Sequence, residues 1–138
     1  MEAFRSVAPV IEAFARERGL LIERYRGGRA GWDLHFARRL GGEARISVSY
    51  RERTGHVLDV LAVWWIDDPQ SRGRRLRSAK LGVFRRRESI SILRELLESA
   101  LQLVDGWTLD DLGPAHGPYP QSAPETVPGA TSDRLPVR

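Results

Sequence analysis

The most chemically suggestive part of this 138-residue chain is the segment from Ser71 to Arg87, which holds eight positive side chains and no acid. Like charges this close repel one another and lower stability unless a polyanion neutralises them. Guanidinium groups match phosphate oxygens, and each neutralised phosphate releases condensed counterions from a nucleic acid. We therefore expect phosphate contacts on one β surface from Arg72, Arg74, Arg75, Arg77, Lys80, Arg85 and Arg87.

A second set of side chains widens the predicted binding surface. Arg45, Arg51 and Arg53 fall on the outward positions of a preceding strand. Binding of single strands also needs aromatic surfaces on which bases stack. Trp64 and Trp65 are adjacent and so point to opposite faces of one strand, which leaves at most one of them for a ligand. Further aromatic candidates, each with core packing as the alternative, are Trp32, Tyr25, Tyr50 and Phe84.

Charge is unevenly distributed along the chain. The formal net charge is +4, yet residues 21–87 carry a net +9 and residues 88–138 a net −5. Only Lys80 among the 22 basic residues is a lysine, which a GC-rich genome explains, but such codon usage does not explain the segregation. The excess positive charge lies in the part of the chain that we predict to be a sheet.

Catalytic and cofactor motifs are absent from the sequence. There is no cysteine, and His35, His56 and His116 are far apart and outside any zinc-binding spacing. The acid pairs Asp67-Asp68 and Asp110-Asp111 lie in predicted loops. We therefore expect no metal, no cofactor and no enzymatic activity.

The elements that must position these residues follow from hydrophobic periodicity. Apolar residues at three- and four-residue spacing predict a first helix that ends at Gly19. From residue 20 the period changes to two, which predicts a curved antiparallel meander of four to five strands because the connections are short. The predicted strands cover 20–26, 32–40, 43–53, 56–68 and 74–87.

The segment 88–107 is the strongest predicted helix. One apolar stripe comprises Ile90, Leu93, Leu97, Leu101 and Val104, and Ile92, Leu96 and Leu103 form a second. A helix that covers a sheet needs one stripe, so the second suggests a partner subunit, with the N-terminal helix as the competing explanation. The prediction is one α+β domain over residues 1–112 and a Pro- and Gly-rich tail over 113–138 that is disordered or draped on the surface.

From about Trp32 to Val104 the chain resembles the positive cofactor four group of transcriptional coactivators, relatives of the Whirly single-stranded-DNA-binding proteins. The resemblance lies in the segments ISVS (46–49), VLDV (57–60), WWID (64–67) and KLGV (80–83), followed by the amphipathic helix. It implies a four-stranded sheet and helix over 32–107 that dimerises and binds single-stranded DNA. By position, it assigns Trp65 as the stacking aromatic, and Arg77 and Lys80 as DNA-binding cations before Gly82.

The sequence thus predicts a non-enzymatic protein that binds single-stranded DNA, or RNA, as a homodimer. A role in transcription or DNA maintenance is what the resemblance implies. The N-terminus lacks the apolar run of a signal peptide or membrane span, so we expect a cytoplasmic protein and no membrane partner. One alternative is a protein–protein adaptor or structural subunit whose basic sheet face binds an acidic partner. A second is a small-molecule enzyme or carrier with a pocket between the sheet and the first helix, near His35 or His56.

Overall fold

The computed structural model describes residues 2–25, 30–51, 57–70, 73–115 and 135–138. Over these ranges an N-terminal helix, five strands and a second helix follow one another, which confirms the predicted α+β class. The elements are α1 (Glu2–Arg18), β1 (Leu21–Tyr25), β2 (Gly31–Ala37), β3 (Glu43–Tyr50), β4 (Val57–Asp68), β5 (Gly73–Arg85) and α2 (Ile90–Gly106).

The five strands form one antiparallel sheet in their order along the chain, β1-β2-β3-β4-β5. Each strand pairs with the next, as the short connections require. The pairing of β4 with β5 contains one irregularity between Val60 and Leu61, where Val60 pairs with Gly82 but Leu61 pairs with Lys80. Leu81 is therefore an extra residue in β5, and such a bulge reverses the facing of the residues that follow it.

Strand alternation produces one apolar face, which both helices cover. Helix α2 packs against β3, β4 and β5, while α1 packs against β1 and α2. We call this side of the sheet the covered face. Its largest fully buried side chains from the strands are Trp32, Leu34, Phe36, Ile46, Val48, Val60 and Trp64. Burial of each such side chain contributes roughly 1.5–3 kcal/mol relative to exposure.

Helix α2 begins after Ser89, whose hydroxyl accepts a hydrogen bond from Ser91 N at 3.4 Å and so satisfies one free amide of the first turn. The first predicted stripe faces the sheet at Leu93, Leu97, Leu101 and Val104, all of which are buried. Ile90 is 40% exposed, so the stripe begins one turn later than the periodicity predicts.

The second apolar stripe of α2 is used largely within the same chain. Ile92 and Leu96 pack against the core, and Leu96 lies next to Gly82 of β5. Leu103 is 36% exposed. Two of the three residues of the second stripe are therefore packed within the same chain, and only Leu103 is left exposed among them.

The predicted tail is described only at its ends, and residues 116–134 lie outside the described residues. Gly113 N donates a hydrogen bond of 3.1 Å to Leu76 O at the edge of β5. Residues 135–138 run beside the end of β2, where Val137 bridges to Ala37. Among the described residues, no helix has the length and apolar content needed to cross a membrane.

Candidate functional site

The candidate site lies on the side of the sheet opposite the helices, which we call the open face. No described helix or strand packs on it. It comprises the alternate strand residues that the covered face does not use. On β4 these include Asp59, Leu61, Val63 and Trp65, and their partners on β3 are, in the same order, Ser49, Ser47, Arg45 and Glu43.

The two adjacent tryptophans of β4 point to opposite faces. Trp64 is fully buried, and its Nε1 donates a hydrogen bond of 2.9 Å to Gly41 O. Trp65 is half-buried on the open face. Strand alternation imposes this division, so Trp65 is the member of the pair that a ligand on the open face can reach.

The turn between β2 and β3 fixes the strand position of Trp65. Gly42 adopts a φ of +71°, a conformation that side chains other than glycine rarely take. A Cβ atom at Gly42 would collide with the carbonyl oxygen of Trp65. The glycine therefore permits a close approach of the turn to β4 where the two tryptophans lie.

Two guanidinium groups from the neighbouring strands lie over the Trp65 ring. Arg45 Cζ on β3 is 5.5 Å from the ring centroid, and Arg74 Cζ on β5 is 5.1 Å from it. Both separations are within the range of a cation–π attraction. Three residues of the sequence prediction thus converge into one cluster, which we call the Trp65 cluster.

Each cation of the Trp65 cluster also faces a carboxylate. Arg45 Nη1 is 3.9 Å from Asp33 Oδ2, a loose separation. Arg74 Nε donates a hydrogen bond of 3.0 Å to Asp67, whose side chain is 71% exposed. The open face therefore has mixed charge here, and the positive groups are not crowded together as the sequence suggested.

A second charged group on the open face centres on Asp59, which is only 5% exposed. Arg51 Nη2 donates a hydrogen bond of 2.8 Å to Asp59 Oδ1, and Lys80 Nζ lies 3.1 Å from the same oxygen. The hydrogen bonds from Arg51 and Lys80 hold the pKa of Asp59 below its usual value, against the opposing effect of burial. Arg51 and Lys80 therefore serve first to neutralise a buried carboxylate.

Alternation along β5 corrects the expectation that its cations share one surface. Arg74 and Lys80 are on the open face, whereas Arg75 pairs with Ile66 and Arg77 pairs with Trp64, both covered-face positions. Arg75 donates hydrogen bonds to the carbonyl oxygens of Leu109, Leu112 and Gly113 at 3.1–3.2 Å. The Arg77 guanidinium lies 5.7 Å from the Trp107 ring centroid. These two arginines hold the segment that follows α2.

Arg85 and Arg87, two of the remaining predicted cations, lie near the sheet end at which β5 terminates. Arg85 pairs with Val57 on the open face, and Arg87 follows in the exposed turn before α2. Because β3 also ends here, Arg51 is at the same end. Arg53 and Arg72 lie outside the described residues. The alternation of single strands does not reveal this grouping at one end of the sheet, although the predicted meander brings alternate connections together there.

Three of the other aromatic candidates pack in the hydrophobic core. Trp32, Tyr50 and Phe84 are at most 6% exposed on the covered face. Burial raises the pKa of Tyr50 to about 12. Tyr25 is half-buried on the open face, because it pairs with Gly31 at the far end of β1.

At the position of the alternative small-molecule pocket, between the sheet and α1, the structure has an open groove of about 430 Å³. It lies between α1 and β1 and is lined by Glu12, Arg16, Arg24 and apolar side chains that include Trp32. His35 is on the opposite side of the sheet, 3.7 Å from Glu23, and His56 lies outside the described residues. Within the described ranges, no three histidine or acidic side chains cluster as metal ligands would.

The chain was compared with family models, with curated proteins and with solved structures, and none of the three comparisons found a match.

Proposed function

We propose that this protein binds single-stranded nucleic acid, with DNA as the favoured form, on the open face of its sheet and without catalysis. The observation that carries the proposal is the Trp65 cluster, a half-buried indole with a guanidinium from each neighbouring strand, on the sheet face that neither described helix covers. An aromatic ring offers a stacking surface to a base of any sequence, and nearby cations bind the adjoining phosphates. Readout is therefore expected to tolerate sequence.

The carboxylates of the Trp65 cluster do not prevent phosphate binding. The pair formed by Arg74 and Asp67 is exposed, and exposed ion pairs contribute only about 0–1 kcal/mol. Arg45 and Asp33 are in loose contact at 3.9 Å. A phosphate can exchange for either carboxylate at little cost, and the guanidinium that moves to it uncovers part of the indole for a base.

The cations near the ends of β3 and β5 extend the proposed path of the strand. Arg85 and Arg87 are exposed there. Arg51 and Lys80 contribute to the local positive potential while they remain bound to Asp59. Arg75 and Arg77 are not part of the proposed interface, because they face the segment after α2.

Other parts of the proposal rest on the sequence. The succession of β2, β3, β4, β5 and α2 is the order that the positive cofactor four group would have. A homodimer, a role in transcription or DNA maintenance, and a cytoplasmic location follow from that resemblance and from the N-terminal sequence.

A protein–protein adaptor is the second candidate, and a specific observation favours it. The open face carries an apolar row beside the Trp65 cluster, in which Leu76 is 41% exposed and Leu61 and Val83 are half-buried. Apolar groups next to charged ones are typical of protein interfaces as well as of nucleic-acid platforms.

Titration of the protein into a fluorescent single-stranded oligonucleotide at several salt concentrations distinguishes the two candidates. The proposal predicts micromolar or tighter binding whose logarithm falls steeply with the logarithm of salt concentration. The variant Trp65→Ala should bind at least about fivefold more weakly, because one stacked base is worth roughly 1–3 kcal/mol. Absence of binding, or a flat salt dependence, would favour the adaptor.

A further inference from the structure

The end of β2 extends beyond its partner strand. Leu21, the first residue of β1, pairs with His35, because the chain leaves α1 through Gly19 at a φ of +66° just before it. Beyond His35, β1 offers no partner to the edge of β2. The backbone groups of Ala37 and Arg39 on this edge need hydrogen bonds from another segment.

Residues 135–138 supply these hydrogen bonds as a short parallel strand. Ala37 N donates to Pro136 O at 2.8 Å, and Arg138 N donates to Ala37 O at 2.8 Å. Arg39 N donates to Arg138 O at 2.7 Å. In strand addition of this kind, main-chain hydrogen bonds provide affinity and side-chain contacts provide specificity.

The specificity contact is the side chain of Arg138. Its Nη1 donates to the carbonyl oxygen of Arg18 at 3.2 Å, and its Nη2 donates to Asp105 Oδ2 at 3.1 Å. Arg18 ends α1, and Asp105 lies in the last turn of α2. The C-terminal ends of helices carry partial negative charge, so this pocket between the two helices favours a cation.

The β2 edge and Asp105, which together receive the 135–138 segment, are held in place by the buried side chain of Arg38. Arg38 Nη1 donates a hydrogen bond of 2.9 Å to Trp107 O, and its guanidinium lies 4.2 Å from the Trp64 ring centroid. Burial lowers the pKa of Arg38. Because Arg38 follows β2 directly, it fixes the end of α2, and with it Asp105, relative to the β2 edge.

We propose that the β2 edge at Ala37 and Arg39, together with Asp105, is an exchangeable binding site for an extended Pro-Val-Arg peptide. Residues 135–138 of the same chain occupy the site, and the same segment of a second copy is the competing ligand. Among the described residues, three main-chain hydrogen bonds and the side chain of Arg138 hold the segment, and Val137 is 59% exposed, so the apolar side chain of Val137 adds little to its attachment. A ligand in the same chain as its receptor competes at an effective concentration of roughly millimolar, so added peptide displaces it only above about that concentration unless the internal segment is weakened.

Binding of a fluorescent peptide with the sequence of residues 131–138 tests this proposal on full-length chains. The variant Arg138→Ala weakens the internal competitor and leaves the receptor intact, so it should bind the peptide at least about tenfold more tightly than the unmodified chain. Arg94→Ala, which removes an arginine that pairs with Glu17 away from both proposed sites, is the matched control and should behave like the unmodified chain. Equal binding by all three chains, or none at about millimolar concentration, overturns the proposal.

A second measurement needs no variant of the protein. Addition of unlabelled peptide to the ¹⁵N-labelled chain should move the Arg138 amide signal towards that of a displaced segment. The amide protons of Ala37 and Arg39 should remain hydrogen-bonded, because the added peptide replaces their acceptors. A peptide that carries Arg138→Ala should have no effect. An Arg138 signal that does not respond to several millimolar peptide overturns the proposal.

Discussion

The covered and open faces of the sheet are built from alternate residues of the same strands, yet they differ in chemistry. The covered face is a continuous apolar core in which Trp64 is fully buried. The open face combines ion pairs with a half-buried Trp65 and has no helix over it in the described part of the chain. A run of charged residues along a sequence therefore does not form a single charged patch on the surface, because a strand divides its residues between the two faces of the sheet.

Strand β5 shows this division most clearly. Arg74 lies over Trp65 on the open face, whereas its neighbour Arg75 binds three carbonyl oxygens after α2. One position therefore suits ligand binding and the next supports the fold. The following substitutions separate these two roles.

Alanine substitution of Trp64 and of Trp65 should give the largest difference in stability loss between the two faces. Trp64→Ala should lower the free energy of unfolding by about 3–5 kcal/mol, because it leaves a cavity in the core. Trp65→Ala should lower it by only about 1–2 kcal/mol, because the ring is half-buried. Urea denaturation of both variants measures these values, and equal losses would contradict the division of the pair between two faces.

Substitution of Asp59 tests whether residues of the open face also stabilise the fold. Asp59→Asn should lower the free energy of unfolding by about 2 kcal/mol, since it leaves Arg51 and Lys80 without their carboxylate. The folded-state pKa of Asp59 is lowered, so its contribution is fully present above the ordinary value of 3.8 and is lost as pH falls through the lowered pKa.

Denaturation of the unmodified chain and Asp59→Asn should therefore give a constant difference in stability from neutral pH down to about pH 5. The difference should shrink in more acidic solution. A difference that grows on acidification would contradict the assigned ion pairs.

Alanine substitution of Arg74 or of Arg75 should change stability less than the substitutions above. The two variants should nevertheless differ clearly from each other. Arg75→Ala should cost about 1–2 kcal/mol, because three carbonyl oxygens lose their donor. Arg74→Ala should cost less, about 0.5–1 kcal/mol, because its acidic partner is exposed and its contact with the Trp65 ring is the main interaction lost. Thermal unfolding monitored by circular dichroism can rank the two variants. The reverse ranking would contradict the facing of β5.

Much of the fold could be predicted from the sequence because hydrophobic periodicity reports local geometry. The change from helical to strand spacing after Gly19, and the alternation through Trp32 and Ile46, predict elements that the structure contains. The opposite facing of Trp64 and Trp65 also follows from alternation alone.

The facing of the β5 cations could be predicted only in part. Alternation separates Arg74 from Arg75. It also places Arg77 and Arg85 on one face, whereas the structure places them on opposite faces because Leu81 is an extra residue between them. A bulge depends on how two strands pair, and the one local indication of it is Gly82, an isolated glycine within the strand next to Leu81.

Two further features depend on contacts between distant segments. Asp59 is read from the sequence as one acid in an apolar strand, although the structure surrounds it with Arg51 and Lys80. Residues 135–138 have no apolar periodicity, and their attachment to β2 is made by the main chain. Hydrogen bonds of this kind leave almost no signature in side-chain type.

The most direct test of the proposed interface compares salt dependence in two double variants, each of which removes two positive charges. Arg45→Gln with Arg74→Gln changes the open face, and Arg77→Gln with Arg94→Gln changes the helix side of the molecule. For a single-stranded oligonucleotide, we measure the slope of the logarithm of the binding constant against the logarithm of salt concentration. We expect this slope to become shallower by about 1.4 in the first variant, because each lost phosphate contact removes about 0.7. In the second variant we expect the slope to be unchanged. Equal loss of slope in both variants, or no binding by the unmodified chain, would contradict the proposed interface.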